Sequence, residues 1–222
     1  ILGEADYEDA AGPGTFDIQA IQFIYADSVP PPPPQTDIDG TSEIDFLIGD
    51  AGSNEFSGLG GADTILGLGG ADTITGGRGE DSLMGDGGRD VLRGNAGRDQ
   101  IDGGGGRDQI SGNGGSDMIF GGGGRDQING GAGADTLNGG RGRDELTGGT
   151  GADLFVFSTG GPRDTITDFR FDIDQIQFAG ADSINDLTFG DIAAGAVVRF
   201  GNAKVLIEDT TSEELISDDF LF

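Results

Sequence analysis

Across residues 49 to 156 a nine-residue unit is written twelve times in unbroken register, from GDAGSNEFS to GGTGADLFV. Glycine fills positions 1 and 4 of every copy. Position 6 is Asp in all but the first copy, which has Asn54, and position 8 is always Phe, Ile or Leu. A looser copy, GTSEIDFLI, precedes the run and keeps Asp45 and Leu47 at those two positions. Neither the three-residue period of collagen nor a structureless linker explains a period of nine that fixes glycine, an acid and an apolar residue. The glycines of the array are therefore the turns of a solenoid.

Each position has a separate task. Glycine at positions 1 and 4 admits backbone angles closed to other residues, so the first six positions form a tight turn with inward-pointing carbonyls. Positions 7 to 9 form a very short strand whose middle side chain faces a core. Two units complete one flattened coil, and each strand stacks on its equivalent in the next coil at about 4.8 Å. Two parallel sheets then enclose Ile65, Ile74, Leu83, Leu92, Ile101, Ile110, Ile119, Ile128, Leu137 and Leu146.

One aliphatic side chain per unit buries too little apolar surface to offset the ordering of a whole unit of backbone. Stacking also sets successive position-6 carboxylates one strand spacing apart. Their repulsion is about 1 kcal/mol per pair in water and about 3.5 kcal/mol at an effective dielectric of roughly 20. A cation bridging successive coils is required. The donors on offer are carboxylates and turn carbonyls, which suit the flexible shell of calcium better than the strict octahedron of magnesium, and zinc would find no nitrogen or sulfur. One ion between each pair of stacked turns gives on the order of ten ions. They would offset about 20 of the 28 net negative charges.

Composition narrows the function classes. With 40 acidic and 12 basic residues the chain attracts cations and disfavours nucleic acid and anionic membranes. It has no histidine and no cysteine, which removes the zinc triad of a metalloprotease, the usual general base and any disulfide. No apolar run approaches the roughly 20 residues needed to span a bilayer, so no membrane insertion is expected. Arg89, Arg98, Arg107, Arg125 and Arg143, all at position 5, are expected to point outward as solubilising or ion-pairing residues.

These GGxGxDxUx units resemble the parallel β-roll of RTX (repeats-in-toxin) proteins. The resemblance implies that position-6 side chains and turn carbonyls around positions 2 and 4 bind calcium. The implied metal ligands are Asp45, Asn54, Asp63, Asp72, Asp81, Asp90, Asp99, Asp108, Asp117, Asp126, Asp135, Asp144 and Asp153. Asn54 carries no charge, so its site should be weaker, and sites at both ends of the array lack a stacking neighbour.

Residues 1 to 38 precede the array. Asp17 reads as the N-cap of a short helix over 18 to 25, with Ile18, Ile21, Ile24 and Tyr25 near one face. Five prolines at 30 to 34 form a stiff polyproline spacer. The stretch FDIQAIQFIY is similar to the helix that leads from the zinc domain into the β-roll of serralysin-type metalloproteases, which makes this segment the remnant of an upstream protease domain. Ile1 follows neither a methionine nor a signal-peptide pattern, as in a processed or truncated product.

From Phe157 the period breaks. Ile166, Phe169, Phe171, Ile173, Ile176 and Phe178 alternate as strands that close the roll, and Asp164, with Asp168, Asp172 and Asp174, offers a further calcium site. Further strands are expected at 196 to 200 and 204 to 208. The ending Asp218, Asp219, Phe220, Leu221, Phe222 resembles the export signal of type I secreted proteins.

The sequence therefore predicts an all-β fold: a right-handed parallel β-roll of nonapeptide repeats over 39 to 156, an antiparallel β cap over 157 to 222, and a short N-terminal helix within 1 to 38. The function expected is a non-enzymatic, calcium-binding module that folds outside the cell and supports type I secretion and stability of a secreted bacterial protein, through contact with the type I secretion apparatus. The alternative is a stand-alone adhesive or surface-layer protein.

Overall fold

The computed structural model describes residues 37–158 and 163–222. Alternation within each three-residue strand decides which side chain is buried. In Thr64–Leu66, Ser82–Met84 and Gln100–Asp102 only the middle residue, position 8, is fully buried. One sheet stacks Asp37–Asp39, Glu55–Ser57, Thr73–Arg78, Val91–Ala96, Gln109–Gly114, Gln127–Ala132 and Glu145–Thr150 in parallel. The other stacks Phe46–Ile48, Thr64–Leu66, Ser82–Met84, Gln100–Asp102, Met118–Phe120, Thr136–Asn138 and Leu154–Phe157. Register follows the repeat: Ile74 lies on Leu92, then Ile110, Ile128 and Leu146, while Ile65 lies on Leu83, then Ile101, Ile119 and Leu137. The core between the sheets is one residue wide per strand, and nearly all of it is fully buried.

A third sheet, which the repeat pattern did not predict, runs along one edge. It stacks Gly69–Gly70, Gly87–Gly88, Gly105–Gly106, Gly123–Gly124 and Arg141–Gly142. The turns themselves are extended enough to form ladder bonds. The position-3 N–H donates to the position-2 carbonyl of the preceding coil, from Gly105 to Asp86 at 2.6 Å and from Gly123 to Gly104 at 2.7 Å. On the opposite edge the turn residues continue the six-residue strands of the first sheet.

The motif ends at Val156 but the coil does not. Arg163–Ile166 pairs in parallel with Glu145–Thr150, and Gln175–Phe178 pairs in parallel with Leu154–Phe157. These strands add another coil, making about eight, where closing strands were expected. The alternation over 166 to 178 is likewise not one run of strand. Ile166, Ile176 and Phe178 face the core, whereas Phe169, Phe171 and Ile173 fall in the connection, with Phe169 buried and Ile173 exposed. The antiparallel cap is the meander Thr188–Ile192, Gly195–Phe200 and Ala203–Glu208, whose last strand pairs in parallel with Arg163–Ile166. Phe220–Leu221 adds to Gln175–Phe178, so both main sheets end on paired cover.

Rings thicken the core here. Phe157 stacks near Phe178 at 5.6 Å, Phe169 meets Phe171 edge-on at 5.7 Å, and Phe189 meets Phe220 at 5.7 Å. Among the described residues, helical structure is limited to the short turns Ile184–Asp186 and Ser217–Asp219, and no helix is long and apolar enough to cross a membrane. The helix and proline spacer expected within 1 to 38 lie outside the described residues.

Candidate metal centre

Position 6 sits where the turn hands over to the strand. There its side chain turns inward beside the position-1 glycine of the same repeat. The backbone N–H of each position-6 residue donates to Oδ1 of the Asp one coil on. Asp72 donates to Asp90 at 2.8 Å, Asp90 to Asp108 at 2.9 Å, and Asp63 to Asp81 at 2.8 Å. The bond recurs through Asp135 to Asp153 at 3.0 Å. The result is two rows of carboxylates, one along each edge of the roll. One row runs Asp45, Asp63, Asp81, Asp99, Asp117, Asp135, Asp153. The other runs Asn54, Asp72, Asp90, Asp108, Asp126, Asp144.

The second carboxylate oxygen is the unusual one. In ten residues, Asp63, Asp72, Asp81, Asp90, Asp99, Asp108, Asp117, Asp126, Asp135 and Asp144, Oδ2 is buried without a hydrogen-bond partner. A buried carboxylate oxygen left so is costly unless a cation faces it. Space beside it is kept open by glycine: a Cβ on Gly85 would lie 2.6 Å from Asp90 Oδ2 and 2.7 Å from the Gly103 carbonyl of the next coil. Carboxylate and carbonyl oxygens therefore converge on one small volume, the hard-oxygen donor set that calcium takes. Among the described residues three acidic side chains converge nowhere, so any ion here would meet at most two carboxylates.

Without a cation the rows bind protons more tightly than ordinary carboxylates do. Burial pushes the carboxyls of Asp63, Asp108, Asp126 and Asp135 up to about 6 and that of Asp99 up to about 7. The backbone N–H bonds oppose this, and neighbouring carboxylates in the row add to it, as Asp117 and Asp81 do at Asp99. Asp72, Asp81, Asp90, Asp117, Asp144 and Asp153 are raised for the same leading reason.

The ends of the rows differ from the middle. At the N-terminal end Asp45 Oδ2 accepts the Thr41 N–H at 2.5 Å and the Thr41 hydroxyl at 3.0 Å, and Asn54 Oδ1 accepts the Asp50 N–H at 3.0 Å. At the C-terminal end Asp164 takes the place of the next row member, accepting the Asp144 N–H at 3.1 Å, and burial lifts its carboxyl to about 7. Asp174 Oδ1 accepts the Asp153 N–H at 3.1 Å and so follows Asp153 in the other row. Asp164, Asp168, Asp172 and Asp174 are thus not one site. Asp164 and Asp174 extend separate rows, Asp168 accepts the Gly148 and Gly149 N–H groups at 2.8 Å each, and Asp172 is exposed in a turn. Thr41 and Arg170 were not singled out as functional side chains by the sequence. Position-2 carbonyls, expected among the ligands together with position 4, also accept ladder bonds, as Asp86 and Gly104 do, and keep a second lone pair. The five position-5 arginines are exposed, and among the described residues ion pairs are confined to Arg170.

The family model for the RTX calcium-binding nonapeptide repeat, in four copies, matches residues 39–74, 57–92, 75–110, 84–119, 93–128 and 120–155, together more than half of the chain. No curated protein matches it significantly. Among solved structures, the extracellular lipase LipA from Serratia marcescens is similar at 17% identity and a TM-score of 0.36. The match covers 82% of this chain and 39% of the lipase, so the chain spans about two fifths of that protein's length. With its repeats matched in register and its two rows of buried carboxylates, the chain belongs to the RTX calcium-binding nonapeptide repeat family.

Proposed function

We propose that this chain is a calcium-dependent folding, export and stabilisation module from the C-terminal part of a secreted bacterial protein. The observation that carries the reading is the set of ten buried carboxylate oxygens without a partner. A fold that buries this much uncompensated charge around a one-residue-wide core is not self-sufficient. Calcium bound between coils supplies the missing positive charge. Its ligands in this reading are Oδ2 of the row residues and the glycine carbonyls beside them. Where calcium is scarce, as in the cytosol, the chain stays unfolded and passes a type I secretion channel. Outside, at the affinities of roughly 10⁻⁴ to 10⁻³ M typical of extracellular modules, binding and folding become one event.

The chain itself contributes no catalysis in this reading. The parent protein proposed is a serralysin-like metalloprotease, on the likeness of FDIQAIQFIY to the helix that enters the roll in those enzymes. Circular dichroism tests the module: β content should be high in millimolar calcium and largely lost in excess EDTA. Equal β content in both would overturn the proposal. The parent is tested separately, by reading the gene upstream of the Ile1 codon for a zinc-protease signature; a lipase signature there would replace the protease.

A further inference from the structure

Eleven repeats carry Asp at position 6, and in ten of them Oδ2 has no partner. The exception is Asp153, in the last repeat. Its Oδ2 lies 3.1 Å from the guanidinium Nη2 of Arg170, a residue in the connection between the two strands of the final coil. The same nitrogen lies 2.7 Å from Asp174 Oδ1 and also donates to the Gly151 carbonyl, while Arg170 Nε donates to Asp174 Oδ2 at 3.1 Å. Both carboxylates are almost wholly buried, and the arginine side chain is only one-third exposed.

The residues around that nitrogen hold repeat positions that recur at every coil below. Gly151 and Asp153 are positions 4 and 6 of their repeat, and Asp174 is the row member of the next coil, in the relation that Asp153 bears to Asp135. One coil down, Gly133 and Asp135 occupy the same positions, and Asp135 Oδ2 is left without a partner. What differs at the last coil is that a side chain supplies the positive charge. A guanidinium suits the task because it stays charged and its planar fork can hold two carboxylates and a carbonyl at once.

We infer that Arg170 is a built-in cation occupying the last metal position of its row, so that the gap between Asp153 and Asp174 takes no calcium and the final coil is sealed in its absence. This rests on the calcium reading of the other gaps. It makes the roll asymmetric: the row ending at Asp174 closes on a permanent charge.

Native mass spectrometry of the full chain in saturating calcium reads the assignment directly. Arg170→Gln removes the charge and leaves both carboxylates, and should bind one more ion than the unaltered chain. In EDTA the unaltered chain should keep amide-exchange protection at Leu154–Phe157 and Gln175–Phe178, and Arg170→Gln should lose it. If Arg170→Gln folds and binds the same number of ions, the inference is wrong. Should that variant fail to fold, Asp174→Asn decides. It should leave the ion count unchanged, whereas Asp135→Asn, its equivalent inside the row, should lower it; a lower count in Asp174→Asn as well would overturn the inference. An unaltered chain that binds no calcium would sink the calcium reading instead. The arginine's role would then stand or fall on the exchange comparison alone.

Discussion

The repeat body and the C-terminal coil with its cap follow one backbone plan but balance their charges differently. In the body, each strand contributes one buried aliphatic or aromatic residue and ten turns contribute a carboxylate oxygen with no partner. Beyond Gly151 several of the acids are answered locally. Asp153 and Asp174 meet Arg170, Asp168 meets two backbone N–H groups, and Asp186 accepts from the Asp182 and Ser183 N–H groups at 3.0 Å each. The core there is also wider, with Phe155, Phe157, Phe169 and Phe178 joined by residues of the meander such as Ala196, Val198, Val205 and Ile207. On the proposed calcium reading, a parallel roll does not need metal as such but needs it where its sequence has placed charge and thinned the core.

The largest effect expected from this contrast is regional. With calcium removed by EDTA, amide exchange followed by mass spectrometry should show the body, from Phe46–Ile48 through Glu145–Thr150, losing protection by about two orders of magnitude or more. Gly195–Phe200 and Ala203–Glu208 should retain most of theirs. Uniform loss across both regions would break the contrast and make the cap as metal-dependent as the array.

A second test separates the two kinds of glycine within the body. Gly97, at position 4, has φ +144° and a Cβ there would run into the Gly79 carbonyl of the coil below. Gly97→Ala should cost about 2 to 3 kcal/mol in calcium-loaded stability. Gly123, at position 3, has nothing within 4 Å of its Cβ position, and Gly123→Ala should stay within about 0.5 kcal/mol. Urea unfolding in constant calcium measures both.

Acid should act on the body through its rows. The carboxyls of Asp63, Asp99, Asp108, Asp126 and Asp135 stand at about 6 to 7 in the folded, metal-free roll against an ordinary 3.8. The folded state therefore binds protons more tightly than the unfolded chain. The stabilisation from these protons is fully present below about pH 4 and is lost as pH rises through about 6 to 7. In EDTA, β content should increase as pH falls from about 7.5 to 4.5. The calcium needed for half-folding should fall over the same range because protons already stabilise the folded roll, while calcium affinity of the folded roll weakens as protons and metal compete for the same oxygens. Loss of β content on acidification in EDTA would contradict the burial of the rows.

Much of this was legible in the sequence because each repeat position has one task. Two units per coil set the register, position 8 named the core from Phe56 to Phe155, and position 6 named the rows. The final coil was harder to see, since Asp164 follows Asp144 by 20 residues and Asp174 follows Asp153 by 21. Insertion in the turns hid a signal that was nonetheless written: DTI at 164 to 166 repeats the DTI at 63 to 65, and DQI at 174 to 176 repeats the DQI at 99 to 101. Arg170 could not be read in this way. Inside the alternating FRFDID it looks like the outward residue of a strand, and only the turn that interrupts the alternation brings it to Asp153. The turn sheet was missed because glycine pairs carry no apolar alternation to mark a strand.

The smallest expected effect concerns the one row member that is already neutral. Asn54 holds the position-6 place in the first full repeat, donates its N–H to Asp72 Oδ1 at 2.8 Å and accepts from Asp50 at 3.0 Å, so its backbone role equals that of any Asp in the row. What it lacks is charge, and calcium sites are tuned by ligand charge count as much as by shape. Asn54→Asp keeps size, the backbone bond to Asp72 and the Oδ1 acceptor for Asp50, and adds the missing charge beside Asp72. In calcium it should lower the folding midpoint by a few-fold, and in EDTA it should slightly disfavour the roll through added repulsion. Asp108→Asn, in the middle of the same row, should do the reverse on both counts. A calcium titration by circular dichroism compares the pair. Opposite shifts would show that charge at position 6, rather than the ladder bond that Asn and Asp share, sets the body's dependence on metal.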